Sequence, residues 1–351
     1  MTTRFTLLPK ALKVVVFTLL VAITAGCNVH EPWPGDADSN ASSTPGKPYV
    51  PVTLKLNFNT ELPLHKEVVY SRAAQDKRYM RYTVQVFAPS RAEGPEPHTT
   101  WTFRQPVEQT LDLTARVVLP DGNYELYVWA DYVDAGSNAD KYYDTTQWQS
   151  ITVADIDNHQ GSDERRDAFR GYVAKTVVNA SEQTESNTIE IEMKRPLARF
   201  EFIATDFAQF AADERRARSQ QEPMDTDADI SPDDYQIVFY YREFTPTGYN
   251  VFTDKPNDAA LGMQFASNLT LTDRGASLGF DYVIVNGSET SVKLLLGIFD
   301  RKGNLISSTG EIEVPLVRGK NTLVTGEFLT AKTQGGVGVS PGFDGEYNIE
   351  I

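Results

Sequence analysis

Cys27 has the most distinctive chemistry in this sequence, being the single cysteine in 351 residues. Thr24-Ala25-Gly26 stand directly before it. Upstream, Arg4, Lys10 and Lys13 make a positive start, and Val14 to Ile23 form an apolar run. A run of about ten residues is too short to span a bilayer and suits the apolar region of a signal peptide. Small side chains before a cysteine fit the pocket of the peptidase that matures bacterial lipoproteins. The thiol that follows must be free to take a diacylglycerol. Thr24 stands where a leucine is commoner. Residues 1–26 are therefore expected to be a lipoprotein signal peptide, with Cys27 the lipidated residue. Each buried CH2 of an acyl chain such as palmitate contributes about 0.8 kcal/mol, and several chains on one residue hold a protein on a membrane. No second cysteine exists, so no disulfide can brace the fold.

Few other residues suggest chemistry. The four histidines, His30, His65, His98 and His159, do not have metal-ligand spacing. Neither a nucleophile elbow nor a phosphate-cradling glycine loop is recognised. The expectation is a protein that is not an enzyme and uses no cofactor or metal. Two acidic loops invite comparison with calcium sites. Asp155, Asp157 and His159 have the first three odd spacings of an EF-hand, but Gly161 comes one residue late and Arg166 stands where a glutamate is required. Asp131, Asp134, Asp140 and Asp144 could chelate through a folded loop. Trp129, Trp148, Tyr142 and Tyr143 could form a platform for a sugar. Set against these are the plainer readings of a solvated acidic loop and sheet-packing aromatics.

These residues must be positioned by a chain of formal charge −15, which becomes −18 once the three basic residues of the leader are removed. Such a surface repels nucleic acid and anionic head groups, so attachment to a membrane is expected through lipid rather than a basic patch. No later apolar run approaches the length of a membrane span. Tyrosine (16) nearly matches phenylalanine (18), a mix that favours strands with one exposed face.

Residues 27–48, rich in Pro, Gly, Ser and Asp, read as a flexible tether. Tyr49–Asn59 then alternates, with Val50, Val52, Leu54, Leu56 and Phe58 on one face. Further strands are expected over Tyr79–Ala88, Thr99–Phe103, Asp112–Leu119, Tyr124–Ala130, Phe169–Val178 and Thr188–Met193. Pro120-Asp121-Gly122-Asn123 predicts a hairpin between Asp112–Leu119 and Tyr124–Ala130. Asp131–Asp167 is expected to be irregular. After Lys194-Arg195-Pro196 a new series begins with Leu197–Ala204. Thr205-Asp206 opens the only good helical pattern, with Phe207, Phe210 and Ala211 on one face and Arg215, Arg216 and Arg218 last. Strands follow over Tyr235–Tyr241, Thr247–Thr253, Ala276–Val285, Ser291–Phe299, Leu305–Ser308, Ile312–Leu316 and Thr322–Leu329. Asn286-Gly287 predicts a second hairpin. The fold class is thus all-β: two tandem antiparallel β-sandwiches, 49–195 and 196–334, with one short helix. Residues 335–351 are expected to be a Gly-rich hinge and a terminal strand.

Several stretches resemble one group. Cys27-Asn28-Val29-His30-Glu31-Pro32-Trp33-Pro34 is similar to the mature start of Bacteroidales lipoproteins. Met193-Lys194-Arg195-Pro196-Leu197-Ala198-Arg199-Phe200-Glu201-Phe202 resembles the segment that opens the second domain of fimbrillin-type pilus subunits and their anchors. Phe280–Val285 and Val314–Leu329, with its Arg318-Gly319-Lys320-Asn321 turn, resemble late strands of that superfamily. The nearest likeness is to an uncharacterised-domain family of fimbrillin-like lipoproteins. The resemblance implies transthyretin-like sandwiches, display on the outer membrane, and assembly with other fimbrillin-type subunits by strand exchange. Under that scheme Val50–Phe58 is the removable strand and Arg72 the candidate proteolytic site. Gly335-Gly336-Val337-Gly338 is then the hinge and Tyr347–Ile351 the donor strand. The rival expectation is a surface lipoprotein that binds glycans through exposed aromatics such as Trp129 or Trp148.

Overall fold

The computed structural model describes residues 47–58, 78–88, 96–107, 110–181, 187–221, 230–330 and 346–350. The strands up to residue 194 are β1 (Tyr49–Phe58), β2 (Tyr79–Phe87), β3 (Thr99–Pro106), β4 (Leu113–Pro120), β5 (Gly122–Val133), β6 (Tyr143–Asp144), β7 (Ile151–Val153), β8 (Ala168–Val178) and β9 (Thr188–Lys194). In β1, Val50, Val52, Leu54 and Leu56 are buried, as the alternation of the sequence requires. β1 is not an edge. It pairs antiparallel with β4, from Tyr49↔Pro120 to Leu56↔Leu113. On its other side it pairs parallel with β9, from Thr53↔Thr188 to Phe58↔Met193.

Seven strands form one sheet in the order β3-β2-β5-β8-β9-β1-β4. β8 and β9 join only at Arg170↔Lys194 and Gly171↔Met193. The sheet folds there, so both wings enclose one core. Phe58 of one wing packs edge-on against Tyr82 of the other, ring centres 5.8 Å apart.

The later strands are β10 (Leu197–Ala204), β11 (Tyr235–Tyr241), β12 (Thr245–Asn250), β13 (Lys255–Ala260), β14 (Gln264–Asn268), β15 (Thr270–Thr272), β16 (Gly275–Ile284), β17 (Glu289–Asp300), β18 (Leu305–Ser308), β19 (Ile312–Val317), β20 (Asn321–Gly326) and β21 (Glu346–Glu350). The helix α1 covers Phe207–Gln221 and buries Phe210 and Ala211. Two sheets, β15-β16-β10-β20-β21 and β14-β11-β17-β18, enclose a second core, with β19 also paired to β17. All eight residues of β10 are buried. Ala198, Phe200, Phe202 and Ala204 enter the second core, while Leu197 belongs to the first. β10 repeats the arrangement of β1, being antiparallel to β16 and parallel to the last full strand of its half, β20.

β16 shifts register opposite β10 between Phe202 and Ile203, next to Gly279. Gly279 has φ 146°, and a Cβ there would lie 2.8 Å from Phe239 and Ser267. The bulge lets Ala276 and Leu278 share the second core with Val283 and Val285 despite the change of parity.

Neither predicted hairpin forms. β4 pairs with β1, whereas β5 pairs with β2 and β8. β16 pairs with β10 and β15, whereas β17 pairs with β11, β18 and β19. Turn chemistry at Gly122 and Asn286-Gly287 reverses the chain, yet it carries it between sheets. The cause is burial. Strands that each line a core pack face to face across it, and pairing side by side would place them in one layer. The Asp300–Asn304 turn does close a hairpin, between β17 and β18. There Asp300 accepts hydrogen bonds from Lys302 N and Asn304 N, both at 2.8 Å.

A fourth sheet, β13-β12-β7-β6, takes two strands from each side of residue 195. It covers the outer face of β5, and Tyr249 and Val251 join the first core. Residues 48–351 consequently form one compact unit.

Leu54 is fully buried in the interior of β1. Leu54→Ala is expected to cost about 2–5 kcal/mol, because it leaves a cavity in the core beneath β1. Chemical denaturation of the purified protein measures it. A loss below about 1 kcal/mol would mean that β1 is not part of the stable core.

Candidate functional site

The aromatic platform expected on the surface is inside the protein. Trp129 (2% exposed), Trp148 (5%), Tyr142 (6%) and Tyr143 (2%) all belong to the first core. Alternation along β5 put Trp129 on the face opposite Leu126 and Val128, and it does lie there. That face is covered by the mixed four-stranded sheet, so Trp129 packs against Tyr143 and Tyr249, ring centres 5.6 and 5.8 Å away. A glycan-binding reading therefore loses these residues.

The acidic loop residues are matched by arginines and main chain. Asp131 receives a bidentate grip from Arg81, Nε at 2.9 Å and Nη2 at 2.7 Å. Asp140 pairs with Arg81 Nη1 at 2.7 Å and accepts from Thr145 N at 2.7 Å. Asp134 pairs with Lys141, and Asp144 accepts from Thr146 N. Among the described residues no group of three or more His, Cys, Asp or Glu is placed to hold a metal ion.

The EF-hand-like stretch joins the two cores. Asp155 takes left-handed φ (50°) and Asp157 is exposed. His159 turns inward, its Nε2 2.5 Å from Asp281 Oδ2. Its Nδ1 lies 3.2 Å from Arg166 Nη2, which can only donate, so Nδ1 accepts and Nε2 donates. Tyr241 donates its hydroxyl to the same Asp281 oxygen at 2.7 Å. Gly161 lies so close to Phe265 that a Cβ would come within 2.3 Å of its ring. Glu164 then pairs with Arg199 at 3.1 Å.

Gly275-Ala276-Ser277-Leu278-Gly279 has the Gly-x-Ser-x-Gly spacing of a nucleophile elbow, a pattern the sequence was expected to lack. It lies within β16 rather than at a strand-to-helix turn. Ser277 Oγ faces Glu201 at 3.5 Å. The spacing here serves sheet geometry.

Of the residues expected to matter for assembly, Cys27, Arg72 and Gly335–Gly338 lie outside the described residues. The terminal segment is described over Glu346–Glu350, as β21. It adds to the edge of β20 in parallel, from Asn321↔Glu346 to Thr325↔Glu350. A parallel neighbour needs a connection of a dozen or more residues, and the chain between Gly326 and Glu346 is long enough. The last residues before that connection are pinned. Asp206 Oδ2 accepts hydrogen bonds from Leu329 N (3.0 Å), Thr330 N (2.7 Å) and Thr330 Oγ1 (2.7 Å). Thr205 donates to Gly326 O through N at 2.9 Å. The sequence reading made Asp206 a helix cap. Its main-chain oxygen does start α1, accepting from Phe210 N, but its carboxylate holds the root of the tail. Nothing local in the sequence signals this, because the partners lie more than 120 residues away.

A family model described as "Family of unknown function (DUF6562)" matches residues 48–351. No curated protein matches the chain. Distant likenesses exist among solved structures. A candidate cell-adhesion protein from Bacteroides eggerthii DSM 20697 is 12% identical with TM-score 0.41, over 84% of this chain and 90% of that one. The tip fimbrial protein Mfa3 from Porphyromonas gingivalis, C-terminally truncated, is 10% identical with TM-score 0.39, over 76% and 81%. The fimbrial anchor protein Mfa2 from the same organism is 12% identical with TM-score 0.33, over 74% and 81%. Among the described residues no helix is long and apolar enough to cross a membrane.

Two outcomes are expected. Burial pushes the Asp281 carboxyl up, but the interaction with His159, the charge of Arg166 and the hydrogen bond from Tyr241 outweigh it, and the group is held below the usual carboxylate range. Its contribution to stability is therefore present above the ordinary aspartate pKa of about 4 and is lost as pH falls through the lowered value. Melting curves should show Asp281→Asn destabilised by about 3–5 kcal/mol at pH 7, with a smaller further loss in acid than the parent. Equal acid sensitivity would place the linkage elsewhere. Asp206→Ala should cost about 2–4 kcal/mol and open the chain next to Thr330 to limited proteolysis. An unchanged cleavage pattern would mean that other groups hold the root of the tail.

Proposed function

The chain belongs to that family of unknown function, and from this premise we propose a lipid-anchored cell-surface structural protein of the fimbrillin type. It is held in the outer membrane through lipid on Cys27 and serves as a pilus component, anchor or adhesin. It joins other fimbrillin-type subunits by β-strand addition.

The observation that carries this reading is β21. A strand from the far end of the chain lies on a sheet edge by main-chain pairing, which is the chemistry of strand addition. Residues 331–345 connect it, a length that spans at most about 50 Å. The same edge of β20 can receive the equivalent strand of a neighbour in place of its own. β1 is the second element. It lies between β4 and β9 with four aliphatic side chains in the core. Burying each is worth about 1.5–3 kcal/mol, which together rivals the net stability of a whole domain. Cleavage after Arg72 would thus release β1 only where another strand takes its place. An anchor would keep β1 and its lipid.

The test is a gel of unboiled outer-membrane extract from the native cell, with N-terminal sequencing of each band. A ladder beginning at Ala73 supports cleaved, polymerising subunits, and a blocked Cys27 supports an anchor. Cys27→Ser is expected to shift the protein from the membrane fraction to the soluble one. Deletion of residues 335–351 is expected to abolish association with other subunits. Normal assembly after that deletion would overturn strand addition by the tail.

A further inference from the structure

A cleft of about 840 Å³ opens between β8 and β9 on one side and three turns on the other, those joining β12 to β13, β16 to β17, and β19 to β20. Its volume lies within the roughly 300–1,000 Å³ typical of small-ligand sites. Its charge departs from the rest of the protein. In a chain of net charge −15, Arg170, Lys194, Lys255 and Arg318 line it against only Glu192 and Asp254. Arg195 also lines it but is spent elsewhere, its buried guanidinium turned onto Asp167 at 2.9 Å.

The floor is built rather than incidental. Asp254 is shared by two guanidiniums, Arg318 Nη2 at 2.5 Å and Arg170 Nη1 at 3.7 Å. Each guanidinium is also fixed by main chain. Arg170 Nε donates to Val251 O at 2.7 Å, and Arg318 Nε donates to Arg195 O at 2.9 Å. Partial burial pushes the Asp254 carboxyl up, yet hydrogen bonds from Arg318 and Tyr249 and the charge of Arg170 hold it below the usual range, so it is ionised at neutral pH. Two fixed cations therefore share one anion, and a positive charge remains at a floor where the two arginine side chains are only 13% and 19% exposed. Partial burial limits screening by salt, so this excess charge acts on a ligand more strongly than one on the open surface.

The walls supply the rest. Tyr172 is 40% exposed. Its hydroxyl is tied to Glu125 at 2.6 Å, and the Arg170 guanidinium lies 5.5 Å from its ring centre. A ring so held is a rigid apolar platform beside the cationic floor. The rim is polar, with Thr253, Asn286 and Ser288 exposed. Lys255 is an exposed cation with no ion pair among the described residues. Lys194 and Glu192 form a mostly exposed pair, 63% and 55%, of a kind worth little against solvent and easily displaced.

We propose that this cleft binds a short acidic oligosaccharide, with a carboxylate or sulfate on Arg170 and Arg318, a sugar face on the Tyr172 ring, and hydroxyls at the polar rim. The assignment is independent of strand addition. A short oligosaccharide keeps its few charges within the cleft, whereas a nucleic acid would carry its phosphates across the acidic surface around it.

The test is calorimetric titration of the full-length protein in detergent with an oligogalacturonate, a sulfated oligosaccharide of similar length, and a neutral maltooligosaccharide. Binding to one or both acidic sugars is expected, weakened by salt, with none to the neutral one. The two acidic probes tell carboxylate from sulfate. Lys255→Glu changes an exposed residue and should leave the melting temperature unchanged, Tyr172→Ala loses a ring contact with Tyr127 and should lower it modestly, and each should weaken binding at least tenfold. No heat with either acidic sugar would overturn the proposal, as would undiminished binding by both variants. Equal affinity for inorganic sulfate alone would overturn the saccharide assignment and leave a simple anion site.

Discussion

Each half of this protein is closed by a parallel pairing between its first strand and its last full one, β1 with β9 and β10 with β20. Parallel neighbours cannot be joined by a tight turn, so everything between them must form the rest of the sandwich first. Much follows from this constraint. β1 becomes an interior strand with both edges paired. β9 runs directly into β10 through Lys194-Arg195-Pro196, so one half starts where the other closes. β20, the closing strand of the second half, is left with one open edge, and the end of the chain occupies it as β21.

The join between the halves is made of charge as well as apolar surface. Asp281 is matched by His159, Arg166 and Tyr241, while Arg199 is matched by Glu164, Glu201 and Asn321. Burying such groups costs solvation that the pairing only partly recovers. Their effect is on geometry. A displaced loop 154–167 would leave full charges unpaired in a dry interior, and few alternative arrangements avoid that cost. The loop looks irregular in sequence because its order comes from contacts far along the chain.

The same economy explains the surface. Arg81, Arg166, Arg195 and Arg199 are buried against carboxylates, and Arg170 and Arg318 gather on Asp254, so a chain of net negative charge carries a basic cleft at the join. The proposed attachment by a terminal strand suits such a chain. Main-chain hydrogen bonds do not depend on side-chain charge, and like-charged surfaces can be linked through a strand without bringing large faces together.

Much of the architecture was legible in local pattern. The alternation in Tyr49–Phe58, the buried run Leu197–Ala204 and the helix after Asp206 could be read because period and burial are set by neighbours in sequence. The expectation of lipidation at Cys27 rests likewise on a short stretch, and the acidity of the chain follows from composition. The short strands β6, β7 and β13 to β15 were missed, the first two inside a stretch expected to be irregular, since such short segments lack a clear period. Partnership was not legible. The turns at Gly122 and Asn286-Gly287 have hairpin chemistry, yet their flanking strands find partners elsewhere because both must line a core. Trp129 lies on the face that alternation assigns to it, and whether that face meets water depends on β12, more than a hundred residues later. Asp206 has the sequence of a cap and the job of a latch. The sequence by itself determined which segments extend and which turn. Only the tertiary structure decided which strands pair, which faces are covered and where the basic side chains gather, because these depend on surfaces that do not exist until distant segments have packed together.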